Sequence, residues 1–175
     1  NGATYPGIDA HVLDDGTGAN RFAPRAGLAP AGGAALTTAE ARLLVQRGLE
    51  TALRSRAQIR KPTDSFVQVT VSVVDIDGNI LALARTADAP VFGTDVSVQK
   101  ARSAAFLSRA QAGNDLVALG GSFATTLANT RAFLGPAALA DGIAYSSRAI
   151  GNLASPFYPD GINGNGNGPL SLPFA

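Results

Sequence analysis

Residues 67–109 read V-Q-V-T-V-S-V-V-D-I-D-G-N-I-L-A-L-A-R-T-A-D-A-P-V-F-G-T-D-V-S-V-Q-K-A-R-S-A-A-F-L-S-R. Val67, Val69, Val71 and Val73 fall on one face of an extended chain; Gln68, Thr70 and Ser72 fall on the other. That alternation predicts a strand over residues 66–74. Asp77-Gly78 is a hairpin-turn pair, and a second strand is expected over residues 79–85. A loop with Asp88-Ala89-Pro90 then leads into a helix rich in small residues, capped at Thr94 or Asp95 and running to Ala110. Val98, Ala101 and Ala105 share one stripe of it, small enough to let the helix sit close to a sheet. A hairpin feeding a loop and a helix start is a place where a pocket can form.

Upstream, Thr37 and Glu40 have the spacing of a capping box. Ala41, Leu44, Val45, Gly48, Leu49, Ala52 and Leu53 follow at helical intervals, with Arg42, Gln46, Arg47, Glu50 and Arg54 largely opposite. Pro62 ends this pattern. Residues 1–35 are rich in Gly and Pro and have no sustained period, which predicts an extended arm lying on the domain or on a neighbour. Residues 36–154 are the expected domain. Downstream of Ala110 the pattern weakens: Gly113, Gly120 and Gly121 break the chain, a short helix is expected over residues 123–134, and a third strand over residues 143–150. Residues 155–175, with N-G-N-G-N-G at 163–168, form an extended tail.

The 175 residues suffice for one domain with a core. Hydrophobic residues make up 46% and charged residues 15%, with a formal net charge of +1, so no electrostatic case for nucleic-acid binding exists. The densest basic stretch, residues 47–61, reads as a solvated helix face. The absence of Cys excludes disulfides and Cys-ligated metal within the chain. No apolar run is long enough to span a bilayer. The start at Asn1, without an initiator Met, is what a removed signal peptide or an internal cleavage leaves, as does an expression boundary; a secreted or periplasmic location is the expectation.

The block V-V-D-I-D-G-N-I-L-A-L-A-R, the following D-A-P and the helix around Q-K-A-R-S-A-A-F resemble the GlcG/HbpS-like family, which includes haem-binding and haem-degrading proteins and the C-terminal domain of the PduO type. The matching positions are Val73, Val74, Asp75, Gly78, Leu81, Leu83, Arg85, Asp88, Ala89, Pro90, Lys100, Ala101, Ala104, Ala105 and Phe106. The resemblance spans residues 36–110. It implies an α+β, profilin-like three-layer α/β/α fold with an antiparallel sheet, symmetric oligomers, and a small-molecule ligand with haem as the candidate cofactor. The family's later Gly-rich strand pair has no match here; Arg148-Ala149-Ile150-Gly151-Asn152 is a faint echo. The expectation is therefore a sheet completed by another segment or chain, and arms packed on another polypeptide.

Arg85, Asp88, Asp95 and Lys100 cluster in sequence around the loop after the hairpin, and Pro90 stiffens it. Opposite charges at a helix start bind an acid group or pair with one another. These five residues are the candidate ligand site. His11 is the only histidine and the candidate haem ligand, with Tyr5, Tyr145 and Tyr158 the remaining residues of a ligating type; its plainer reading is an exposed arm residue. Asp75-Ile76-Asp77-Gly78-Asn79 places its Gly too early for a calcium loop and reads as a turn, and Asn163-x-Asn165-x-Asn167-Gly168 lacks a charged twelfth position, which is Phe174. No complete catalytic constellation is visible. The expected function is an exported small-ligand-binding protein; the alternative is a non-catalytic structural or assembly subunit.

Overall fold

The computed structural model describes residues 4–57, 60–140, 145–146, 151–158, 164 and 166–171. It divides into two compact units, Asn1–Arg102 and Ser103–Ala175. The first unit holds β1 (Ala10–His11), α1 (Thr38–Ala52), β2 (Thr70–Val74), β3 (Ile80–Thr86) and most of α2 (Gly93–Leu107). The second holds the end of α2, α3 (Ala112–Ala118) and α4 (Phe123–Leu134). Helices and one small antiparallel sheet make this an α+β fold, as expected.

Helix α1 begins at the capping box read from the sequence. The Thr37 hydroxyl accepts the Glu40 N–H at 3.2 Å, and the Glu40 carboxylate accepts the Thr37 N–H at 2.8 Å. Ala41, Val45, Leu49 and Ala52 are buried, a narrow row at intervals of three and four residues. Leu44 lies outside this row and is 49% exposed, so the stripe is narrower than the sequence suggested. Gly48 sits where a Cβ would meet Val71 Cγ1 at 3.0 Å, which lets the helix backbone press against β2.

The three strands lie in the order β1-β3-β2, all antiparallel. Val71 pairs with Ala84 and Val73 with Ala82; these side chains meet α1 in a core that also holds Tyr5, Ala10, Val45 and Leu49. The opposite face carries Thr70, Ser72, Leu83 and Arg85. Gly93, at the start of α2, stands 3.4 Å (from an added Cβ) from Thr70 Oγ1, and Arg102, nine residues on, bonds the Gly78 carbonyl at 2.8 Å. The first turns of α2 thus run along this second face, with α1 on the other.

The turn between β2 and β3 follows from Asp75. Its carbonyl accepts the Gly78 N–H at 3.0 Å, and Gly78 has φ +79°. Ile76 and Asp77 are therefore the central turn residues, with glycine in the left-handed position after them. The segment is thus a hairpin turn, as its sequence reads, and not a calcium loop.

Three boundaries differ from expectation. The strand predicted over residues 66–74 begins at Thr70, because Phe66 bridges Arg56 and Val67 donates to the Ser55 carbonyl at 2.9 Å, tying this stretch to the exit of α1. Helix α2 ends at Leu107 rather than Ala110, and Thr94 and Asp95 lie inside it rather than capping it. A helix, α3, covers Gly113, which the sequence marks as a breaker. There the glycine is needed for close approach: its N–H donates to the Leu139 carbonyl at 2.8 Å, and a Cβ would lie 3.1 Å from Leu127 Cδ1.

The N-terminal arm is packed on its own domain, which corrects the expectation that it lies on another polypeptide. Ala10 and His11 pair with Thr86 and Arg85, Leu83 donates to the Phe22 carbonyl at 3.4 Å, and Arg25 donates to the Leu81 carbonyl at 2.9 Å. The arm therefore runs along the full length of β3. Tyr5 is fully buried, and burying such a side chain stabilises by roughly 1.5–3 kcal/mol. The physical reason is the edge of β3, whose outward carbonyls and N–H groups need partners.

In the second unit, Ala112, Leu127 and Leu139 form a small core with Leu107, Leu116 and Tyr145 against it. Helix α4 covers the expected residues and ends at Gly135, φ +107°. In the tail, Leu170 is 5% exposed and donates to the Leu153 carbonyl at 3.0 Å, so this residue is packed rather than free. The strand expected over residues 143–150 falls outside the described residues except for Tyr145 and Ser146, as do Asn163, Asn165 and Phe174.

Candidate functional site

The loop from β3 to α2 follows Thr86, one residue after Arg85, which lies in the row where β1, β3 and β2 are side by side. His11 and Thr70 are the two cross-strand partners of Arg85. Residues paired in this way project to the same face, so the three side chains form one line across the sheet. Gly93 closes over Thr70, which brings the first turn of α2 to the same place.

Two residues of this line, and Thr94 in the first turn of α2, carry buried polar atoms. Among the described residues, Thr70 Oγ1, Arg85 Nε and Thr94 Oγ1 have no hydrogen-bond partner. A buried polar atom without a partner costs about 1–3 kcal/mol, so each of these atoms favours a hydrogen-bonding partner, water or ligand. The Arg85 guanidinium is held in part: one terminal nitrogen donates to the Ala89 carbonyl of the same loop. Its Nε remains a directed donor, and each hydroxyl can donate or accept.

The other residues singled out by sequence are dispersed. Asp88 is exposed and pairs with Arg60 at 2.7 Å, while its N–H donates to Gln68 Oε1 at 3.2 Å. The ion-pair network expected among Arg85, Asp88, Asp95 and Lys100 is therefore not formed: Asp88 is taken by a residue 28 positions upstream. Asp95 is exposed and accepts the Gln99 amide at 2.6 Å. Lys100 is exposed, two turns into α2. Pro90 is exposed, and its carbonyl accepts the Gly93 N–H at 3.0 Å, shaping the turn that starts α2. His11 has 52% of its side chain exposed, and its Nε2 lies 3.2 Å from Asp9 Oδ1. Tyr5, considered as a ligand, is instead a core residue; burial pushes its phenol above the ordinary value, with Arg42 acting weakly the other way.

Thr70 and Thr94 were missed as site residues. Thr70 is legible as the polar face of an alternating strand, but alternation does not say that a helix start will close over it. Thr94 was read as a cap because hydroxyls favour that place. Among the described residues no group of three or more His, Asp or Glu side chains gathers to hold a metal ion, and no helix is long and apolar enough to cross a membrane.

No protein-family model matches the chain, and no curated protein or solved structure matches it.

Proposed function

We propose that the chain is an exported small-ligand-binding protein of the GlcG/HbpS-like kind, with its site in the loop between β3 and α2. The observation that supports this most is the set of three unpartnered buried polar atoms on Thr70, Arg85 and Thr94. They combine one obligatory donor with two hydroxyls at a helix start, an arrangement suited to an acid group. Asp88, Pro90, Asp95 and Lys100 then frame the approach to the site rather than its floor.

Haem is the candidate cofactor carried by the sequence resemblance. The residue types fit it in outline: His11 supplies an imidazole and its cross-strand neighbour Arg85 a cation for a propionate. When bound, haem would supply redox or ligand-gas chemistry at its iron; the chain's part is to hold and orient it. Adding haemin to the purified chain tests this. The expected result is a shifted Soret band that weakens in His11→Ala, with affinity about tenfold lower in Arg85→Ala, the loss of one charge-assisted hydrogen bond. An unchanged haemin spectrum removes haem. Native mass spectrometry of the protein as isolated then tests the broader reading: a retained small molecule lost in Arg85→Ala or Lys100→Ala supports it, and a ligand-free chain overturns it.

A second reading, a non-catalytic assembly subunit, is supported by the outer edge of β2. The Val69 carbonyl accepts the Thr86 N–H and the Val69 N–H donates to the Thr86 hydroxyl, both at 3.0 Å, so the ladder places the backbone groups of Val71 and Val73 toward β3, and Thr70 and Ser72 point their N–H and C=O outward. Among the described residues nothing pairs with them. The strand T-V-S-V-V has no charge or proline to deter pairing. In this reading a second copy adds its own β2 there. Light scattering on the chain and on Ser72→Pro, which removes an outward N–H only, decides it: loss of a dimer in the variant supports the reading, and a monomeric parent ends it.

A further inference from the structure

Far along β3 from Arg85, at the hairpin end, a cleft of about 360 Å³ is lined by Arg21, Arg25 and Arg102 together with Phe22, Asn79 and Ile80. Arg25 Nε donates to the Ile80 carbonyl at 2.7 Å, and Arg102 Nε donates to the Gly78 carbonyl at 2.8 Å. These two carbonyls flank Asn79, so the turn holds one guanidinium on each side of that residue. In both arginines the bond uses Nε, and among the described residues the terminal nitrogens make no hydrogen bond. Arg21 joins them from the arm, its guanidinium 5.5 Å from the centroid of the Phe22 ring.

None of the three has a carboxylate within ion-pair distance among the described residues, although Arg47 and Arg60 do. Of the two carboxylates of this turn, Asp75 is buried and already occupied by Asn79, Asp77 and Leu28, and Asp77 is exposed and forms no ion pair with the three arginines. Three like charges around one cleft repel one another, so their convergence favours an anion between them. The chemistry of the missing counter-charge can be read from the donors. One guanidinium fork fills the two oxygens of a carboxylate. A phosphate monoester offers three terminal oxygens and a charge of about −1.5 to −2, which three arginines from three directions can share. Phe22 and Ile80 add an apolar wall for the organic part, and the volume lies in the range of small-molecule sites, about 300–1,000 Å³.

We propose that this cleft is a second binding site, distinct from the loop at Arg85, and that it takes a small phosphate monoester. Isothermal titration of the full chain with phenyl phosphate, and with benzoate as the carboxylate counterpart, tests it at constant ionic strength. Saturable binding of phenyl phosphate at least tenfold tighter than benzoate is expected. Arg21→Gln and Arg102→Gln should each weaken it about tenfold. Among the described residues the Arg21 side chain bonds no backbone carbonyl, and its backbone bond to the Leu13 carbonyl survives the substitution, so its variant keeps the fold; circular dichroism melting verifies this for both. Arg54→Gln, which removes one positive charge at the end of α1, should leave the affinity within twofold. Absence of saturable binding, equal affinity for benzoate, an equal effect of Arg54→Gln, or loss of binding in Arg85→Ala with the cleft variants unaffected would each overturn the assignment.

Discussion

The Asp75 carboxylate accepts the backbone N–H of Leu28 at 3.3 Å, a bond across 47 residues that fastens the N-terminal arm to the hairpin turn. The same carboxylate accepts the N–H groups of Asp77 and Asn79 and the Asn79 side-chain amide. Gly27 beside it leaves no room for a side chain: a Cβ would lie 3.0 Å from Asp75 Cβ and 2.8 Å from Leu81 Cδ1. Turn, arm and strand are thus closed around one buried acid.

Replacing Asp75 with Ala leaves these donors without an acceptor and should destabilise the chain by about 2–4 kcal/mol, read by urea denaturation. The pH dependence has a definite sign. Burial pushes the Asp75 carboxyl up, but hydrogen bonds from the Asn79 side chain and from the Asn79, Asp77 and Leu28 backbone outweigh it and hold it below the ordinary value. A depressed folded value means that stability is present above the unfolded value, about 3.9, and is lost as pH falls through the folded one. Asp75→Asn should therefore be less stable at pH 7 yet lose less on acidification below about pH 4. Parallel acid profiles for parent and variant would refute this role.

The sequence made the hairpin and the first helix legible because both depend on local rules: period-two alternation, a turn needing glycine, and a cap three residues from its partner. The antiparallel α+β character was what the family resemblance implied, and the helices and small antiparallel sheet agree with it. Long-range matters were not legible. Tyr5 in a Gly- and Pro-rich arm carries no periodic signal, yet the arm finds the free edge of β3 and buries it. Gly113 looks like a breaker because propensity is local, whereas its helix is held by contacts to Leu127 and Leu139. At the site, charge suggested Arg85, Asp88, Asp95 and Lys100; the structure puts Arg85 with two threonines that carry no charge. The three arginines of the hairpin cleft come from the arm and from α2, separated by up to 81 residues in number, Arg21 to Arg102, and no spacing rule joins them.

Tyr5 offers a test of the arm's packing. Its ring is fully buried in the main core, but its hydroxyl is buried with no partner among the described residues. Tyr5→Phe removes the orphan hydroxyl and keeps the ring, so stability at pH 7 should stay level or rise by up to about 1 kcal/mol. Burial raises the phenol's value, so the folded form resists ionisation and stability falls as pH rises past the unfolded value near 10. The Phe variant should lack that part of the alkaline loss. Tyr5→Ala, which empties the core site, should cost about 3–5 kcal/mol, by analogy with other large aromatic truncations. A Tyr5→Ala variant as stable as the parent would mean that the arm does not pack as described.

The capping box at α1 predicts a smaller effect. Thr37→Ala removes the acceptor for the Glu40 N–H and the partner of the Glu40 carboxylate. A loss of about 1 kcal/mol is expected. Thr37→Ser should keep most of it, and Glu40→Gln should retain the reciprocal bond to the Thr37 N–H. Equal losses in Thr37→Ala and Thr37→Ser would point to the methyl group rather than the cap.

Gly48 separates helix propensity from packing. In an isolated helix, Gly→Ala gains about 1 kcal/mol. Here the added methyl would meet Val71 Cγ1 at 3.0 Å and Cγ2 at 3.3 Å. Val71 is β-branched, so its χ1 has little freedom, and its backbone is fixed by pairing with Ala84. The methyl must lift α1 from the sheet or strain β2, and overpacking of this kind costs about 1–3 kcal/mol. The steric term is the larger, so Gly48→Ala should be net destabilising by about 1 kcal/mol in urea denaturation. The double variant Gly48→Ala with Val71→Ala decides the cause, because it removes the side chain that blocks the methyl. If contact between these residues is what matters, adding Gly48→Ala to a Val71→Ala background should stabilise, by roughly the propensity gain. The same destabilisation in both backgrounds would show that α1 does not approach β2 through Gly48.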